Sequence, residues 1–176
     1  DALGQIDSGI VRKENGKIIV EVSLNKRYIT LSPVSNLIGL AIKLDDPDGL
    51  LVDGSSGISV FLIEKDHPNL KLETHHNPLN IGFPNGTIKG DIQLGLHQII
   101  GGEKESGNGW KMLMECLAAG RGICLPATAN ASAKVCTYNI FNYIKHRKQF
   151  NIPLIKMEGV SNKFSDMVYN TWLIQT

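Results

Sequence analysis

Short apolar runs separated by turn residues fill residues 1–100, a pattern typical of β-strands. The clearest pair is residues 8–12 and 17–22, which flank Asn15-Gly16. Because Asn-Gly readily adopts the positive φ angles of a type I′ turn, this pair predicts a β-hairpin. Further strands are predicted at residues 27–31, 36–44, 58–64, 70–73 and 88–96, with turns at 45–49 and 84–86.

A glycine-rich connection at residues 101–107 ends the strand pattern, and the hydrophobic period then becomes helical. A long helix is predicted from Trp110, with a bend where Gly120, Gly122 and Pro126 interrupt it. A second helix is predicted to begin near Glu158. We therefore expect an α+β fold, with a β-domain over residues 1–100 joined to a helical segment over residues 101–176.

Composition and charge restrict the classes of function. Hydrophobic residues make up 42% and charged residues 20% of the 176 positions, which is ordinary globular usage and excludes a disordered chain. The net charge of +1 is too small for the basic surface that a nucleic-acid partner requires. Residues 1–100 carry nine basic and twelve acidic groups (−3), and residues 101–176 carry nine and five (+4). An anion site is therefore expected in the second half.

Further sequence features bear on metal binding, on the state of the cysteines, on membrane insertion and on whether the chain is a fragment. His75-His76 has no carboxylate or thiol partner at ligand spacing, so no metal is expected. Cys116, Cys124 and Cys136 form no C-x-x-C pair and are interpreted as reduced core thiols. No apolar run approaches the ~20 residues of a membrane-spanning helix. The absence of an initial methionine and the end within an apolar-periodic stretch favour a fragment of a longer protein.

Arg121 is the most informative single residue in the helical half. Helical spacing places it on the same apolar stripe as Leu113, Leu117 and Cys124, and a buried guanidinium needs an anion or other acceptors. The neighbouring glycines leave room for a ligand to approach. The alternative is an arginine that extends to the surface or pairs with a structural carboxylate.

Two other groups of residues are candidates for binding. Lys145-His146-Arg147-Lys148 is followed by Gln149 and Phe150, a combination of charge, amide and ring that suits a nucleotide. The alternative is a solvated helix end that interacts favourably with the helix dipole. Tyr28, Thr30 and Ser32 alternate along a predicted strand and are expected to share one face, which is also typical of the outer face of a sheet.

Taken together, four segments resemble the acyl-CoA dehydrogenase family, and especially its large bacterial fatty-acyl-CoA branch. The segments are Tyr28-Ile29-Thr30, resembling the aromatic-Ile-Thr segment; Gly107-Asn108-Gly109-Trp110, resembling the entry to the first C-terminal helix; Leu117-Ala118-Ala119-Gly120-Arg121, resembling that helix's arginine segment; and Tyr143-Ile144-Lys145-His146-Arg147-Lys148-Gln149-Phe150, resembling the Tyr-x-x-x-Arg-x-Gln-Phe signature. His76-Asn77-Pro78-Leu79-Asn80 and residues 85–90 indicate the bacterial branch. The chain resembles the family's middle β-domain, which implies an antiparallel β-barrel or sandwich-like domain over residues 1–100. It also resembles about the first half of the C-terminal domain, which implies part of a helical bundle over residues 101–176. Asp1 matches the last residue of the family's Gly-Ser-Asp loop.

The resemblance implies FAD as the cofactor and fatty acyl-CoA as the substrate. It implies that Thr30 hydrogen-bonds the flavin near N5 and O4, that Tyr28 packs against the flavin, and that Ser32 is a weaker candidate on the same side. Arg121 would lie at the acyl-CoA cavity. The implied contacts to the diphosphate and adenine of FAD in a neighbouring subunit are made by Arg147, Gln149 and Phe150, so a homo-oligomer is expected.

The resemblance also implies a reaction and its partners. Fatty acyl-CoA would be α,β-dehydrogenated to trans-2-enoyl-CoA in β-oxidation, with electrons passing to electron-transferring flavoprotein. Some members carry the catalytic glutamate where this chain has Gly120, so the base is expected beyond Thr176 and the chain alone is expected to be inactive. The expected location is cytoplasmic, with membrane association of the full-length protein left open. The alternatives are a non-catalytic assembly fragment, an acyl-CoA oxidase and a flavin monooxygenase.

Overall fold

A computed structural model of the chain describes residues 7–52 and 56–176. Asp1, the residue matched to the family's Gly-Ser-Asp loop, lies outside this described part. The chain divides into two units, one ending at Leu113 and one running from Met114 to Thr176. Each unit is described separately below.

Six strands of the first unit form one mixed sheet in the order β4-β3-β1-β2-β6-β5. The strands are β1 (Ser8–Glu14), β2 (Lys17–Thr30), β3 (Leu37–Asp45), β4 (Ile58–Glu64), β5 (Lys71–His76) and β6 (Asn85–Gly95). Strands β1 and β3 pair in parallel, and the other four pairings are antiparallel. The α+β fold is thus confirmed, but the barrel alternative is wrong, because β4 and β5 lie at opposite edges of an open sheet.

Alternation of apolar and polar side chains builds the core of this sheet. Successive residues of a strand face opposite sides, so every second residue of β2 and β3 reaches the interior. The most completely buried side chains are Val11, Val20, Leu40, Ile42, Leu44, Phe61, Ile63, Ile88 and Leu94. At about 25 cal/mol per Å² of apolar surface removed from water, each large side chain in this cluster contributes roughly 1.5–3 kcal/mol to stability.

The predicted hairpin is confirmed, whereas one predicted turn is wrong. Asn15 and Gly16 have φ of 49° and 79° and connect Glu14 to its partner Lys17. By contrast, Asn85 and Gly86 do not form a turn but begin β6. Asn85 pairs with Thr30 at the end of β2, so cross-strand hydrogen bonding prevails over a turn-forming sequence.

The glycine-rich connection after β6 covers the outer edge of β4. Isolated bridges join Ile58 to Asn108 and Phe61 to Ile99. The Gly107 amide donates to Ser59 Oγ at 2.8 Å. A Cβ at Gly109 would lie 2.6 Å from the Ile58 carbonyl oxygen, so only glycine permits this approach. The contact fixes the point from which the first long helix departs.

The helices follow the predicted pattern closely. They are α1 (Gly109–Ala119), a π-helical turn (Gly120–Cys124), α2 (Leu125–His146) and α3 (Glu158–Gln175), with 3₁₀ turns at Pro78–Asn80, Leu96–Gln98, Glu103–Glu105 and Leu154–Lys156. The irregularity lies at the predicted bend, and α3 begins at the predicted residue. None of the helices in the described part of the chain is both long and apolar enough to span a membrane.

Helices α2 and α3 pack together through a mixed polar and aromatic seam. Asn130 Nδ2 donates to Gln175 Oε1 at 2.8 Å, and the Thr137 and Thr171 hydroxyls lie 3.1 Å apart. The stacked rings of Phe141 and Phe164 have centroids 5.9 Å apart. These contacts run along α2 towards its end at His146, so the seam positions the segment that follows this helix.

The first prediction concerns the Asn15-Gly16 turn. Gly16 has φ of 79°, where an L side chain is strained, so Gly16→Ala is expected to lower the free energy of unfolding by about 1–2 kcal/mol. Gly39→Ala is the matched control, since Gly39 lies in β3 without positive φ and with open space around it. That control is expected to leave stability unchanged or raise it by about 0.5 kcal/mol. Urea unfolding measures both, and equal losses would contradict the turn assignment.

Candidate functional site

Tyr28 lies on a β-bulge in β2. Lys26 pairs with Ile88 and Ile29 pairs with Gly86, so Arg27 and Tyr28 together oppose Thr87. Tyr28 has φ of 54°, unusual for a bulky residue, and the residue is 58% exposed. The bulge therefore presents an aromatic ring at the surface of the sheet.

Thr30 ends the same strand, two residues after Tyr28. Its Oγ1 donates to Asn85 Oδ1 at 3.2 Å, and the residue is exposed. Ile29, between the two, packs against the core instead. An exposed ring and an exposed hydroxyl thus stand on the same stretch of β2, and that Tyr28 and Thr30 share one face stays a prediction.

The prediction that Ser32 shares this face is wrong. Leu31 has φ of 63° and its amide donates to the Pro84 carbonyl at 2.8 Å, which turns the chain out of the strand. Ser32 is only 2% exposed, and its Oγ has no hydrogen-bond partner in the described residues. A Cβ on Gly86 would lie 2.6 Å from that oxygen, so the Ser32 hydroxyl faces the backbone of β6 rather than the surface.

His76 is a neighbour of Tyr28 that the sequence does not reveal. Its Nε2 lies 2.8 Å from Thr87 Oγ1, within hydrogen-bonding distance, and its ring centroid lies 4.5 Å from that of Tyr28. The Arg27 guanidinium lies 5.6 Å from the Tyr28 centroid. His75 bonds elsewhere, with its Nε2 3.2 Å from the Phe83 carbonyl oxygen. These contacts bring β2, β6 and β5 together, and no local motif could have indicated them.

The basic segment of the second unit forms a tight hairpin. Helix α2 ends at His146, and β7 (Lys148–Gln149) pairs with β8 (Ile152–Pro153). Phe150 and Asn151 have φ of 49° and 62°, the two positive values of a type I′ turn. Phe150 at the tip is 90% exposed.

This hairpin collects the predicted cofactor residues of the second unit. Arg147 and Gln149 are both exposed and lie two residues apart in nearly extended backbone. The Leu154 amide donates to the Arg147 carbonyl at 2.8 Å, which ties the base of the hairpin together. Residues 116–157 contain six Lys or Arg and no Asp or Glu, so the nearby sequence supplies no carboxylate to neutralise Arg147. The segment is suited to an anionic ligand.

Of the two interpretations of Arg121, burial on the apolar stripe is wrong in this chain, and the alternative of an arginine that extends to the surface agrees with its exposure. Arg121 and Cys124 are exposed, and Leu117 is 43% exposed. Arg121 lies inside the π-helical turn, where the Leu125 amide bonds the Gly120 carbonyl five residues earlier. This i→i+5 spacing breaks the 3.6-residue period on which the predicted stripe depends. Cys116 and Cys136 are also exposed, so the prediction of core thiols is wrong as well.

Comparison with known proteins shows which family the chain resembles. A family model described as the C-terminal domain of acyl-CoA dehydrogenase matches residues 107–174. An acyl-CoA dehydrogenase of Bacillus subtilis is 29% identical over 167 residues, covering 92% of this chain. The chain is thus similar to acyl-CoA dehydrogenases over most of its length. The resemblance of the four segments is thereby confirmed at family level, and the large bacterial branch stays a prediction.

Two further comparisons show that the chain spans only part of the length of the proteins that it matches. Protein HemX of Proteus mirabilis is 45% identical over 96 residues, which cover 53% of this chain and 56% of HemX. An acyl-CoA dehydrogenase of Bacillus anthracis, solved as a complex with FAD, superposes with a TM-score of 0.72 at 22% identity, covering 99% of this chain and 28% of that one. The chain covers only 41% of the Bacillus subtilis acyl-CoA dehydrogenase.

Proposed function

We propose that the full-length protein is an FAD-dependent acyl-CoA dehydrogenase. Its substrate would be a fatty acyl-CoA, converted to trans-2-enoyl-CoA in β-oxidation, with electrons passing to electron-transferring flavoprotein. Similarity to acyl-CoA dehydrogenases supports the reaction class. The observation that carries the proposal is the pairing of an exposed ring, Tyr28, with an exposed hydroxyl, Thr30, on one stretch of β2.

The residues of this edge fit a flavin. A flat ring system with a polar edge needs an apolar surface to pack on and a hydrogen-bond donor beside it. Tyr28 supplies the surface, and the Thr30 hydroxyl can rotate from Asn85 towards a ligand. Ser32 has no place in the proposal, because its hydroxyl is buried. When bound, FAD supplies the capacity to accept a hydride, which no side chain of the chain can provide.

The second unit would contribute charge and substrate contacts. Arg147 and Gln149 would bind the diphosphate of FAD, and the exposed Phe150 ring would pack near the adenine. The family resemblance assigns these contacts to FAD in a neighbouring subunit, so a homo-oligomer is part of the proposal. Arg121, exposed in this chain, would contact acyl-CoA. The proton-abstracting glutamate would lie beyond Thr176, and the protein would be cytoplasmic.

The proposal is tested with the purified full-length protein. We expect a yellow protein whose flavin is reduced by palmitoyl-CoA without oxygen and reoxidised by electron-transferring flavoprotein. Reoxidation by oxygen alone, at a rate matching turnover, would favour the oxidase alternative. A full-length protein that binds no FAD would overturn the proposal and favour an assembly role.

A companion prediction concerns the 176-residue chain by itself. It is expected to bind FAD weakly and to show no turnover with palmitoyl-CoA and an artificial electron acceptor. Turnover is expected to be absent because Gly120 stands where some members carry the catalytic base. The measurement is FAD titration followed by fluorescence, together with the turnover assay. Turnover comparable to that of the full-length protein would show that the base lies within the chain.

A further inference from the structure

The Tyr28 ring has an aromatic neighbour outside its own strand. Tyr28 lies on a bulge with φ of 54°, and the residue is 58% exposed. Arg27 contributes a guanidinium 5.6 Å from the ring centroid, but that side chain is itself exposed and long. The His76 ring lies beside it, with the two ring centroids 4.5 Å apart and an interplanar angle of 39°. The orientation of Tyr28 therefore depends on what holds His76.

Thr87 holds His76. The Thr87 residue is only 5% exposed, and its Oγ1 lies 2.8 Å from His76 Nε2. A buried hydroxyl that lost this partner would leave an unsatisfied polar group, so the hydrogen bond is strongly favoured. The imidazole is thus tied to the central strand of this region rather than to the exposed loop that follows β5.

Two β-bulges meet at Thr87. On β2, Arg27 and Tyr28 together oppose it. On β5, Glu73 pairs with Thr87 and His75 pairs with Gly86, so β5 advances two residues while β6 advances one. Bulges redirect the side chains that follow them. The pair of bulges brings an aromatic ring from one flanking strand and an imidazole from the other into contact across β6.

We propose that His76, held by Thr87, is a positioning residue that fixes the Tyr28 ring where the flavin binds. The inference rests on the proposed function, since it assumes that Tyr28 packs against FAD. Fixing the ring before binding reduces the conformational freedom that FAD binding would otherwise remove. His76 therefore contributes to FAD affinity and to the environment of the flavin through Tyr28, without touching the cofactor.

A double-mutant cycle in the full-length protein tests this coupling. His76→Ala is expected to raise the FAD dissociation constant by about 3- to 10-fold, the scale of one aromatic pair. In a Tyr28→Ala background, the same change is expected to cost less than about 2-fold, because the residue that His76 positions is already gone. The visible circular dichroism of bound FAD should change with His76→Ala alone and stay unchanged when it is added to Tyr28→Ala.

Thr87→Val and His75→Ala complete the design. Thr87→Val removes the hydroxyl that holds His76 and keeps the side-chain shape, so it should reproduce the effect of His76→Ala and takes its place in the cycle if that variant does not fold. His75→Ala is the matched control, since its bond is to the Phe83 carbonyl oxygen, and it should leave FAD affinity and the dichroism unchanged.

The outcomes separate the inference from the proposed function. Equal losses of affinity from His76→Ala with and without Tyr28, or no loss in a protein that binds FAD tightly, would overturn the positioning role alone. A wild-type full-length protein that binds no FAD would overturn the proposed function, and the positioning role with it.

Discussion

Thr30→Val in the full-length protein is expected to slow reduction of the bound flavin by acyl-CoA roughly 10- to 1000-fold. Thr30 ends β2 with an exposed hydroxyl that donates to Asn85 Oδ1 in this structure. In the proposed function, that hydroxyl donates to the flavin near N5 and O4, where charge changes as hydride arrives. Loss of one preorganised donor at such a position has this magnitude. Stopped-flow absorbance of the flavin measures the rate.

Thr30→Ser is the matched control for this experiment, because it keeps the hydroxyl and removes only a methyl group. Its reduction rate is expected to stay close to that of the wild type. The role of Thr30 would be rejected if Thr30→Val reduced its flavin at the wild-type rate with FAD fully bound.

Arg147→Ala is expected to raise the FAD dissociation constant about 10-fold or more, since a charge-assisted hydrogen bond contributes roughly 1.5–3 kcal/mol. Arg147 stands where α2 passes into the basic hairpin, and residues 116–157 contain no carboxylate to compete for it. Added salt should weaken FAD binding by the wild type more than by the variant, because the contact that the variant lacks is ionic. Fluorescence titration at two salt concentrations measures both effects.

Lys148→Ala provides a control of equal charge change one residue away. Lys148 is exposed in β7, and no FAD contact is proposed for it, so its removal should affect affinity much less than that of Arg147. Sedimentation of each variant with and without FAD follows the coupling of cofactor retention to assembly. Equal affinities of wild type and Arg147→Ala at both salt concentrations would assign Arg147 to a solvated helix end.

Local features could be predicted because their causes lie within a few residues. Asn15-Gly16 adopts positive φ angles because asparagine tolerates them and glycine has no Cβ, and the pair connects the two strands of the hairpin. Strand β4 covers the predicted residues 58–64, and α3 begins at Glu158 as the helical period indicates. In each case, the hydrophobic period and the turn residues indicate where the element begins or ends.

Features that depend on pairing between distant segments could not be predicted. The bulge at Tyr28 exists only in relation to Thr87, more than fifty positions later. The strand ends at Thr30, where the next amide, of Leu31, bonds the distant Pro84 carbonyl, so Ser32 leaves the expected alternation. The contact between His76 and Tyr28 has the same origin. The π-helical turn shifts the helical phase at Arg121, and the glycines indicated a bend there without specifying its form.

The two edges of the six-stranded sheet differ in a way that bears on aggregation. The outer edge of β4 is paired with the following segment through the bridges to Ile99 and Asn108. In addition, the Ile100 amide donates to the Val60 carbonyl at 2.8 Å. At the other edge, within the described residues, β5 has β6 as its sheet neighbour, but it is short, bulged and bears Lys71 and Glu73. Charge and a bulge make an edge strand a poor template for edge-to-edge addition of another chain. This unit is therefore protected against growth into cross-β fibrils, by its own backbone on one side and by an irregular, charged strand on the other.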